Sequence, residues 1–480
     1  MAAEGGLQSA RHSAGRGQTA LCRRSFLSSL GLGGASLVIV RQARAKEPSQ
    51  VASSILLSKT GSDRATAYVM SNKVARRRGL LVCTWLGSDR QNCWALVEPT
   101  DAKLLKQGVV GEPRTDNHCG GALATDTDGT LHLVVGAHHG SFEHYRMPPD
   151  QEAWEPVADG RALGQAATYP SVVCDGAGTL HLAYRQERGG RDPRVCYCRR
   201  PRDGKWAEPR VLVASAVAEH SWVTNAIEVG PKGRVHLIVS NTLPVPEAGP
   251  EARYYGASHL HSDDSGATWR QLGRAEPLKG PAPAAVLARI ECDALDPART
   301  EKEYGAAPGP LNSYYHKILL SNPAIDEAGQ PWVIVHNLLT RTASLFRWQG
   351  AAGWAATPLL DAVRSVLPGF HIQHCGQLSR HRDGTVEAVL MAAPEGERAW
   401  GAKGTRLVRV LVGPAGAIRR TELMCPQEES DVPCWLPSLE RWCWHAPVER
   451  PALLYTRGIN AGGYQHNRNS VNTEVWAQPR

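Results

Sequence analysis

Two histidines, a tyrosine and an arginine of this chain carry side chains suited to proton transfer beside an anion: His118, His138, Tyr169 and Arg185. A neutral imidazole, with an ordinary pKa of about 6.5, acts as a base at neutral pH, and a phenol can donate a proton to an oxygen. A guanidinium group stays charged and pairs with carboxylates. These residue types therefore predict acid–base chemistry on a negatively charged substrate.

Counting from the nearest turns places the four side chains on one rim of the fold. His118 and His138 each lie ten residues from a turn near residue 128. Tyr169 and Arg185 each lie eight residues from a turn near residue 177. Residues at equal distances from the turn of an antiparallel hairpin face each other at its open end. We expect two neighbouring hairpins to present these residues to the same side.

The elements that must position these residues are repeated turn-and-strand units. Five clear units lie at Asp126–Val135, Asp175–Tyr184, Gly230–Val239, Asp326–Val335 and Arg382–Leu390, with weaker versions at Gly79–Trp85 and Arg450–Thr456. Most are about 49 to 65 residues apart, with one double gap between Gly233 and Gly329. Units of this size, rich in strands and turns, are typical of propeller blades. We predict an all-β fold, a seven-bladed β-propeller.

Composition favours the same architecture. The 480 residues include 47 Gly, 32 Pro and 14 Trp, a surplus that suits short strands joined by many turns. At 42% hydrophobic and 21% charged residues the chain is in the globular range, which excludes wholesale disorder and collagen-like repeats. No apolar run reaches the roughly 18 residues of a membrane-spanning helix.

Three further histidines repeat at one register of the units. His132, His181 and His236 each stand three residues after the turn glycine. A residue that recurs at one position of every unit serves the unit itself. We therefore predict a structural role for these three histidines.

The segment Ser262–Trp269 fits the pattern S-x-D-x-G-x-T-W, the Asp box of sialidase-type propellers. Its Asp and Gly shape a hairpin turn, and its Trp is expected to pack beneath that turn. The motif predicts a hairpin and carries no information about catalysis.

Four short motifs together resemble the BNR-repeat proteins that include the seven-bladed-propeller ulvan lyases: Asp116-Asn117-His118, Gly136-Ala137-His138, Thr168-Tyr169-Pro170 and Tyr184-Arg185. The resemblance is sharpest over residues 116–185 and diffuse elsewhere. It implies that His118 and Tyr169 transfer protons, while His138 and Arg185 neutralise a uronate carboxylate.

One role of that family has no clear equivalent here. The family also uses a tyrosine from the following blade, where this chain has Ser221-Trp222-Val223-Thr224. Tyr255, before the Asp box, is a poor substitute by its position. The resemblance therefore leaves the place of a further tyrosine open.

The chemistry implied by the resemblance suits the residues present. A lyase removes the proton next to a uronate carboxylate and expels the sugar linked at O4. Cationic or hydrogen-bonding groups must stabilise the enolate-like intermediate, which Arg185 and His138 can do. The expected partner is an acidic polysaccharide, with or without sulfate groups. The reaction requires no redox or nucleotide cofactor.

Two other functions remain open from the sequence. A sialidase-like glycoside hydrolase would explain the Asp box, and Tyr145-Arg146-Met147-Pro148 looks like a sialidase motif. That motif follows a complete hairpin instead of opening the first blade, and only one good Asp box is present. The other alternative is a non-catalytic carbohydrate-binding propeller, with tryptophans as stacking platforms.

A structural metal ion, zinc or calcium, is a weaker hypothesis. His and Cys side chains suit zinc, and several lie near the ends of later hairpins: His316, His336, His371, His374 and Cys375. No tight C-x-x-C or H-x-x-x-H spacing supports a site. Ordinary polar contacts are the favoured interpretation of these side chains.

The first 45 residues have the features of a twin-arginine signal peptide. Arg23-Arg24 precedes a short apolar stretch, and Ala43-Arg44-Ala45 is an A-x-A cleavage site. We expect residues 46–480 to form one exported domain, periplasmic or extracellular, with the twin-arginine export machinery as a partner and no stable membrane insertion after cleavage. The leader carries +5 of the net charge of +8, and the remaining +3 gives no reason to expect nucleic-acid binding.

Cysteines give little guidance to the fold. Eleven remain after the leader, scattered over a long chain, unlike a small disulfide-stapled domain. Cys83 with Cys93 is one pair close enough in sequence for a bridge. Buried free thiols are the simpler expectation.

Overall fold

The computed structural model describes residues 54–189, 191–215, 224–244, 253–292, 318–338, 342–397, 400–424, 432–459 and 473–480. The chain from Val51 to Arg480 forms one compact unit. The predicted leader, residues 1–45, lies outside the described residues, and its role stays a prediction.

The described residues are predominantly β-structure. The first strands are β1 (Ile55–Gly61), β2 (Val74–Arg77), β3 (Leu80–Leu86), β4 (Asn92–Glu98), β5 (Lys103–Val110), β6 (Ala122–Thr125), β7 (Leu131–Val135), β8 (Gly140–Met147), β9 (Glu155–Pro156), β10 (Leu163–Cys174), β11 (Leu180–Arg188), β12 (Arg191–Arg200) and β13 (Arg210–Ala214). The next are β14 (Asn225–Val229), β15 (Val235–Pro244), β16 (Arg253–Ser262), β17 (Arg270–Gln271), β18 (Ala282–Pro283), β19 (Arg289–Cys292), β20 (Ile318–Leu320), β21 (Ala324–Ile325), β22 (Pro331–Asn337), β23 (Thr342–Trp348) and β24 (Trp354–Pro358). The last are β25 (Phe370–Arg380), β26 (Val386–Pro394), β27 (Arg406–Val412), β28 (Ile418–Leu423), β29 (Cys434–Leu439), β30 (Leu453–Arg457) and β31 (Thr473–Gln478).

Helical structure is sparse in the described residues. One α-helix, α1, spans Leu360–Val366, and short 3₁₀ turns lie at Ala158–Gly160, Pro231–Gly233, Ala284–Val286 and Gly350–Ala352. None of these helices has the length and apolar character needed to cross a lipid bilayer. The all-β prediction is confirmed.

Most neighbouring strands follow one another in the chain and pair antiparallel. The described sheets run β2-β3-β4-β5, β14-β15-β16-β17, β20-β22-β23-β24 and β25-β26-β27-β28. A nine-stranded sheet joins β6–β9 to β10–β13 and β18 through the pairing of β8 with β10. The last sheet, β1-β31-β30-β29, combines the first described strand with the final three.

The hydrophobic core lies between neighbouring sheets. The strands β3, β7 and β22 are buried along almost their whole length because both of their faces are covered. One apolar cluster, for example, joins Val74 and Leu81 to Leu454 and Val475, which belong to the sheet that contains both β1 and β31. Face-to-face packing of this kind fixes each sheet against the next.

The predicted turns form with the chemistry that their residues suggest. The Asp126 carboxylate accepts hydrogen bonds from the backbone N–H groups of Asp128 and Thr130, at 2.9 and 2.8 Å. Gly129 supplies the left-handed conformation that closes this turn, with φ of +83°. The imidazole of His132 lies 3.2 Å from the same carboxylate, through Nε2 and Oδ2.

The repeated histidines are buried inside the sheets. His132 is 5% exposed, and His181 and His236 are fully buried. His181 Nε2 lies 3.0 Å from the carboxylate of Asp175, its own turn residue. Their contacts are with turn and strand neighbours, as a structural role requires.

The Ser262–Trp269 segment forms the turn between β16 and β17. The Asp264 carboxylate accepts hydrogen bonds from the Thr268 backbone N–H, at 2.7 Å, and hydroxyl, at 2.6 Å. Trp269 is 3% exposed and packs edge-on against Tyr197. This geometry is that of a structural turn.

The nine cysteines whose side chains are described form no disulfide bond with one another. Cys83 and Cys93, on the adjacent strands β3 and β4, do not form the bridge that their spacing allows. Most of the nine are buried in the sheets.

Candidate active site

The four residues predicted from spacing lie together. The His118 and His138 rings, from the segments flanking the β6–β7 hairpin, stack with centres 4.2 Å apart. Tyr169 and Arg185 lie on the adjacent strands β10 and β11, with the guanidinium carbon 4.6 Å from the centre of the phenol ring. The rings of His118 and Tyr169 are 6.2 Å apart.

One carboxylate orients both imidazoles. Oδ1 of Asp116 accepts a 2.8 Å hydrogen bond from the His118 backbone N–H and lies 3.1 Å from His118 Nδ1. Oδ2 pairs with Nδ1 of His138. Burial alone would raise the pKa of Asp116, but the hydrogen bonds from His118 and His138 hold it well below its usual value. An ionised carboxylate accepts the Nδ1 proton of each ring, which leaves each Nε2 with its lone pair.

Tyr169 lies in a β-bulge. Tyr169 and Pro170 together oppose one residue of β11, Tyr184. The φ of Tyr169 is +59°, a left-handed conformation that is uncommon outside glycine. Bulges redirect side chains and are frequent beside functional sites. Counting from the turn was therefore wrong by one residue, because Thr168 is the residue that pairs with Arg185.

Side chains of neighbouring segments hold this bulge. The buried Asn225 amide donates hydrogen bonds to the carbonyl oxygens of Tyr169, at 2.9 Å, and Ala183, at 3.1 Å. The Ser71 hydroxyl donates a 2.6 Å hydrogen bond to the Pro170 carbonyl. The unusual backbone at Tyr169 is thus fixed from two sides.

Arg64 and Tyr68, between β1 and β2, complete the cluster and were not predicted from the sequence. The Tyr68 ring centre lies 4.5 Å from that of Tyr169. The Arg64 guanidinium donates a hydrogen bond to the Tyr68 hydroxyl and also contacts Nε2 of His118. No spacing in the sequence marks these two residues, because their contacts are made only when the first segment packs against the later hairpins.

The two tyrosine hydroxyls are electrostatically coupled. Burial raises the pKa of Tyr68 well above its usual value, and its hydrogen bond to Tyr169 raises it further. Burial also raises the pKa of Tyr169, but Arg185, Arg64 and the hydrogen bond with Tyr68 oppose that rise. The hydrogen bond between the two hydroxyls thus raises the pKa of Tyr68 and lowers that of Tyr169.

Arg185 is buried and has unused hydrogen-bond donors. It is 1% exposed, and its Nε lies 3.6 Å from a carboxylate oxygen of buried Glu187. Within the described ranges, neither Nε nor Nη1 of Arg185 has a hydrogen-bond partner. A buried guanidinium with free donors is suited to a carboxylate ligand.

His118 is a neutral imidazole at neutral pH. Burial lowers the pKa of His118 to about 4, and the Arg64 guanidinium and the His138 ring act in the same direction. The hydrogen bond with Asp116 opposes this effect without cancelling it. The ring is therefore available as a base at neutral pH, although Arg64 occupies its Nε2.

The cluster opens to solvent on one side. Tyr169, Tyr68 and His118 are buried, whereas the side chain of His138 is 19% exposed and that of His139 is 35% exposed. A ligand would therefore approach from the side of these two histidines.

Asp116, His118 and His138 are also the one group in the described part of the chain with three ligand atoms close enough to hold a metal ion, within 4.8 Å of one another. Two imidazoles and a carboxylate suit zinc. Here, however, both Nδ1 atoms already pair with the carboxylate, and the Arg64 cation touches His118. The three residues satisfy one another without an ion.

The metal ligands suggested by the sequence do not form such a group within the described ranges. His336 and His374 are buried, and burial lowers their pKa values to about 3 and about 4. The Cys375 sulfur lies 3.8 Å from His374 Nδ1. His316 lies outside the described residues, as do Ser221, Trp222 and the side chain of Tyr255, so the structure places no further tyrosine from that region.

Comparison with known sequences gives the family. The model of the BNR repeat-containing family matches residues 87–362, more than half of the chain. The chain belongs to the BNR repeat-containing family. No curated protein sequence matches this BNR repeat-containing chain.

Solved structures similar to this BNR repeat-containing chain include polysaccharide lyases. A PL25 ulvan lyase has a TM-score of 0.59 and 11% identity, and the match covers 88% of this chain and 95% of that one. A PL25 ulvan lyase bound to -[GlcA(1-4)Rha3S]- gives the same values. The polysaccharide lyase Uly1 has a TM-score of 0.55 and 14% identity, with coverage of 88% and 98%. At such identities the likeness shows a common β-propeller-like fold.

Proposed function

We propose that this protein is a polysaccharide lyase that cleaves a uronate-containing, ulvan-like acidic polysaccharide by β-elimination. The observation that carries the proposal is one cluster containing an imidazole pair oriented by Asp116, the Tyr169 hydroxyl and the guanidinium groups of Arg64 and Arg185. The fold shared with solved ulvan lyases supports it.

The reaction needs a base, an acid and a positive environment for a carboxylate. The base takes the C5 proton, and the electron pair of the C5–H bond delocalises into the carboxylate as an enolate-like intermediate. That pair then forms the C4=C5 double bond as the C4–O bond breaks, and the leaving oxygen takes up a proton. Positive groups stabilise the enolate-like state that develops between these events.

In this proposal His118 removes the C5 proton through Nε2. Asp116 holds the Nδ1 proton, which keeps the basic lone pair on Nε2. In the structure Arg64 contacts His118 Nε2. We propose that the Arg64 guanidinium turns to the incoming carboxylate and so leaves His118 Nε2 free to act as the base. Hydrogen bonds in active sites commonly rearrange in this way when substrate binds.

Tyr169 is the proposed acid that protonates the leaving oxygen. Its hydroxyl shares a hydrogen bond with Tyr68, which stabilises the phenolate formed when the proton leaves. Arg185, stacked on the same ring, stabilises that phenolate as well. Tyr68 is thus a positioning residue that acts through Tyr169.

Arg185 and His138 are the proposed partners of the uronate carboxylate. Arg185 has free donors, and His138 lies on the open side of the cluster. Arg64 adds a second guanidinium once it leaves His118. The Glu187 carboxylate beside Arg185 reduces the net charge of this group.

The remaining sequence predictions belong to the same proposal. In this proposal the sheets are seven propeller blades: β6–β9 and β10–β13 are taken as two blades joined at one edge, and the pairing of β31 with β1 supports closure of the ring. The leader would export the folded chain to the periplasm or beyond, where an acidic polysaccharide is accessible. The proposed reaction needs no cofactor.

The test is a panel of uronate polymers: ulvan, chondroitin, heparinoids, alginate and pectate. We expect ultraviolet absorbance from unsaturated product on at least one polymer. We expect His118→Ala and Tyr169→Phe each to lose about 100-fold or more of the rate. Tyr145→Phe, whose hydroxyl bonds Glu143 outside the cluster, is the matched control and should keep the rate.

Two results would overturn the proposal. One is cleavage that both cluster variants leave unchanged. The other is binding of an acidic polymer with no unsaturated product from any member of the panel, which would favour the carbohydrate-binding alternative.

A further inference from the structure

A second cavity lies at the other end of the strands that carry the candidate active site. Its volume is about 440 Å³, within the ~300–1,000 Å³ typical of ligand pockets. It is lined by the turns at Asp175 and Gly230, whereas Tyr169 lies six residues before Asp175 on the same hairpin. Val172, three residues after Tyr169 on β10, is the lining residue of this strand that lies nearest Tyr169, so at ~3.3 Å per residue the cavity begins about 10 Å along the strand.

Two tryptophans form an aromatic part of the wall. The rings of Trp442 and Trp444 pack edge to face with centres 5.7 Å apart, and both line the cavity. The Arg380 guanidinium lies over both rings, 4.8 and 5.1 Å from their centres. Val74, Val172 and the backbone around Gly230 continue the lining with mainly apolar surface.

A few polar groups point to a hydrogen-bonding ligand. The indole N–H of Trp442 and the Nε of Arg441 are buried and have no hydrogen-bond partner within the described ranges, whereas Trp444 donates to the Val229 carbonyl. Both residues with unused donors line the cavity. The Glu228 carboxyl, on the same wall, accepts one hydrogen bond, from the Val229 N–H. The residues that line the cavity thus include two with unused donors and one with a carboxyl acceptor.

The charges around the cavity disfavour an ion as ligand. Charges of both signs line the cavity: cationic Arg76, Lys232 and Arg441, and the carboxyl groups of Asp175, Glu228, Asp263, Asp264 and Glu440. Several are already paired within the protein, Glu440 with Arg76 at 2.8 Å, Asp263 with Arg234 at 2.6 Å and Asp175 with His181 at 3.0 Å. An ion of either sign would therefore meet like charges as well as opposite ones. A neutral molecule with hydroxyl groups and an apolar ring face fits both the aromatic wall and the unused donors.

We propose that this cavity, lined by Trp442, Trp444, Glu228 and Arg441, is a second binding site that takes a neutral sugar residue. The sugar ring packs on the indole rings, while its hydroxyl oxygens accept from Trp442 and Arg441 and one hydroxyl donates to Glu228. The site goes beyond the proposed lyase chemistry, because none of its residues belongs to the His118–Tyr169 cluster.

The test is a ligand-observed NMR titration of the intact protein with methyl glycosides of L-rhamnose, D-xylose, D-glucose and D-galactose. We expect saturable binding of at least one, with a dissociation constant on the order of 1 mM, as suits a ligand of this size. Trp442→Phe removes the indole donor. Glu228→Gln keeps one oxygen to accept from the Val229 N–H and replaces the other acceptor by an NH2 group, so each variant should weaken binding about fivefold. Trp476→Phe, whose ring lies over Arg457 in the closing sheet, is the matched control and should bind normally.

The site and the lyase are tested separately. Tyr169→Phe should lose cleavage and keep binding of the neutral glycosides, so failure of either proposal leaves the other intact. The second site is overturned if no neutral glycoside binds saturably, or if both cavity variants fold and bind like the parent protein. Tighter binding of methyl glucuronide or tetramethylammonium than of every neutral glycoside, lost in the same variants, would overturn the assigned ligand class.

Discussion

Asp116 is the single residue on which both imidazoles of the candidate site depend. A half-buried carboxylate between two Nδ1 atoms fixes the tautomer and direction of each ring at once. The sequence showed it only as the first residue of the Asp-Asn-His motif. Its bridging role appears only in the fold, which stacks the two rings with centres 4.2 Å apart and places both Nδ1 atoms beside the carboxylate.

Asp116→Asn is expected to lower kcat/KM by about 100-fold, because an amide cannot accept from both imidazoles and keep both Nε2 lone pairs in place. Steady-state kinetics on the active polymer measure this loss. The matched control is Asp126→Asn, which alters a similar carboxylate–imidazole contact, to His132, inside a turn. That variant should lower thermal stability and keep the rate; equal rate losses in the two variants would contradict the assigned role.

Arg64→Gln is expected to change the pH dependence of the reaction. His118 acts as a base only when neutral, and in the folded protein it becomes protonated near pH 4. Because the Arg64 charge lowers the pKa of His118, its removal should raise that pKa and shift the acid limb of kcat/KM to higher pH. A pH–rate profile measures the shift. An unchanged acid limb, with activity retained, would show that His118 is not the base.

Chelation gives a further check on the same three side chains. Since Asp116, His118 and His138 satisfy one another by hydrogen bonds, we expect dialysis against EDTA to leave the cleavage rate unchanged. Elemental analysis of the dialysed protein serves as the control for complete removal. A loss of rate restored by zinc would instead make these residues metal ligands.

At the scale of strands, the bulge in β10 decides where Tyr169 points. Regular pairing alternates side chains between the two faces of a sheet, and an extra residue interrupts that alternation. The turn motifs predict the β10–β11 hairpin itself, and equal counting brings Tyr169 and Arg185 near each other. The bulge is not visible in the sequence, because it depends on Asn225 and Ser71 from other segments.

Asn225→Ala should therefore reduce activity through the backbone. The change leaves the Tyr169 and Ala183 carbonyls without their donor, and we expect about a tenfold or greater loss in kcat/KM from misplacement of the phenol. Asn322→Ala is the matched control, since this buried amide links to Leu378 in the same manner far from the cluster. Both should lose similar stability in thermal melts, while the control keeps its rate. A full rate in Asn225→Ala would separate the bulge from function.

The fold class could be predicted from the sequence, whereas part of the candidate site could not. Asp–Gly turns and apolar strands recur along the chain, so the all-β class could be predicted from local pattern. Arg64 and Tyr68 could not, because they reach His118 and Tyr169 only through packing between the first segment and later sheets. Contacts between residues so far apart in sequence leave no local trace.

Sheet-to-sheet ion pairing should give the molecule an acid-sensitive stability. Buried Glu387 pairs with His381 at 2.7 Å, with Arg409 at 3.2 Å and with the terminal residue Arg480. Burial alone would raise the pKa of Glu387, but Arg480, His381 and Arg409 lower it to about 2. A depressed carboxyl pKa contributes stability above its unfolded value of about 4.5, and this is lost as pH falls towards 2.

Glu387→Gln should lower the free energy of unfolding at pH 7 by about 3–5 kcal/mol, because buried Arg480 loses this carboxylate and Arg409 keeps only Glu422. Denaturant unfolding at pH 7 and pH 3 measures the difference between variant and parent. That difference should shrink at pH 3, because Glu387 is then protonated in the unfolded parent but still ionised in the folded one, so folding must release a proton. A difference that stays constant with pH would contradict the ionised state of Glu387.

Burial makes several of the described cysteines slow to oxidise. Burial raises the pKa of Cys83, Cys93 and Cys443 to about 12, and raises that of Cys174 and Cys375 as well. Since the thiolate is the reactive form, these sulfurs exchange slowly with oxidants and disulfides. A chain that reaches an oxidising compartment already folded would therefore keep its thiols reduced, protected by the packing of its sheets.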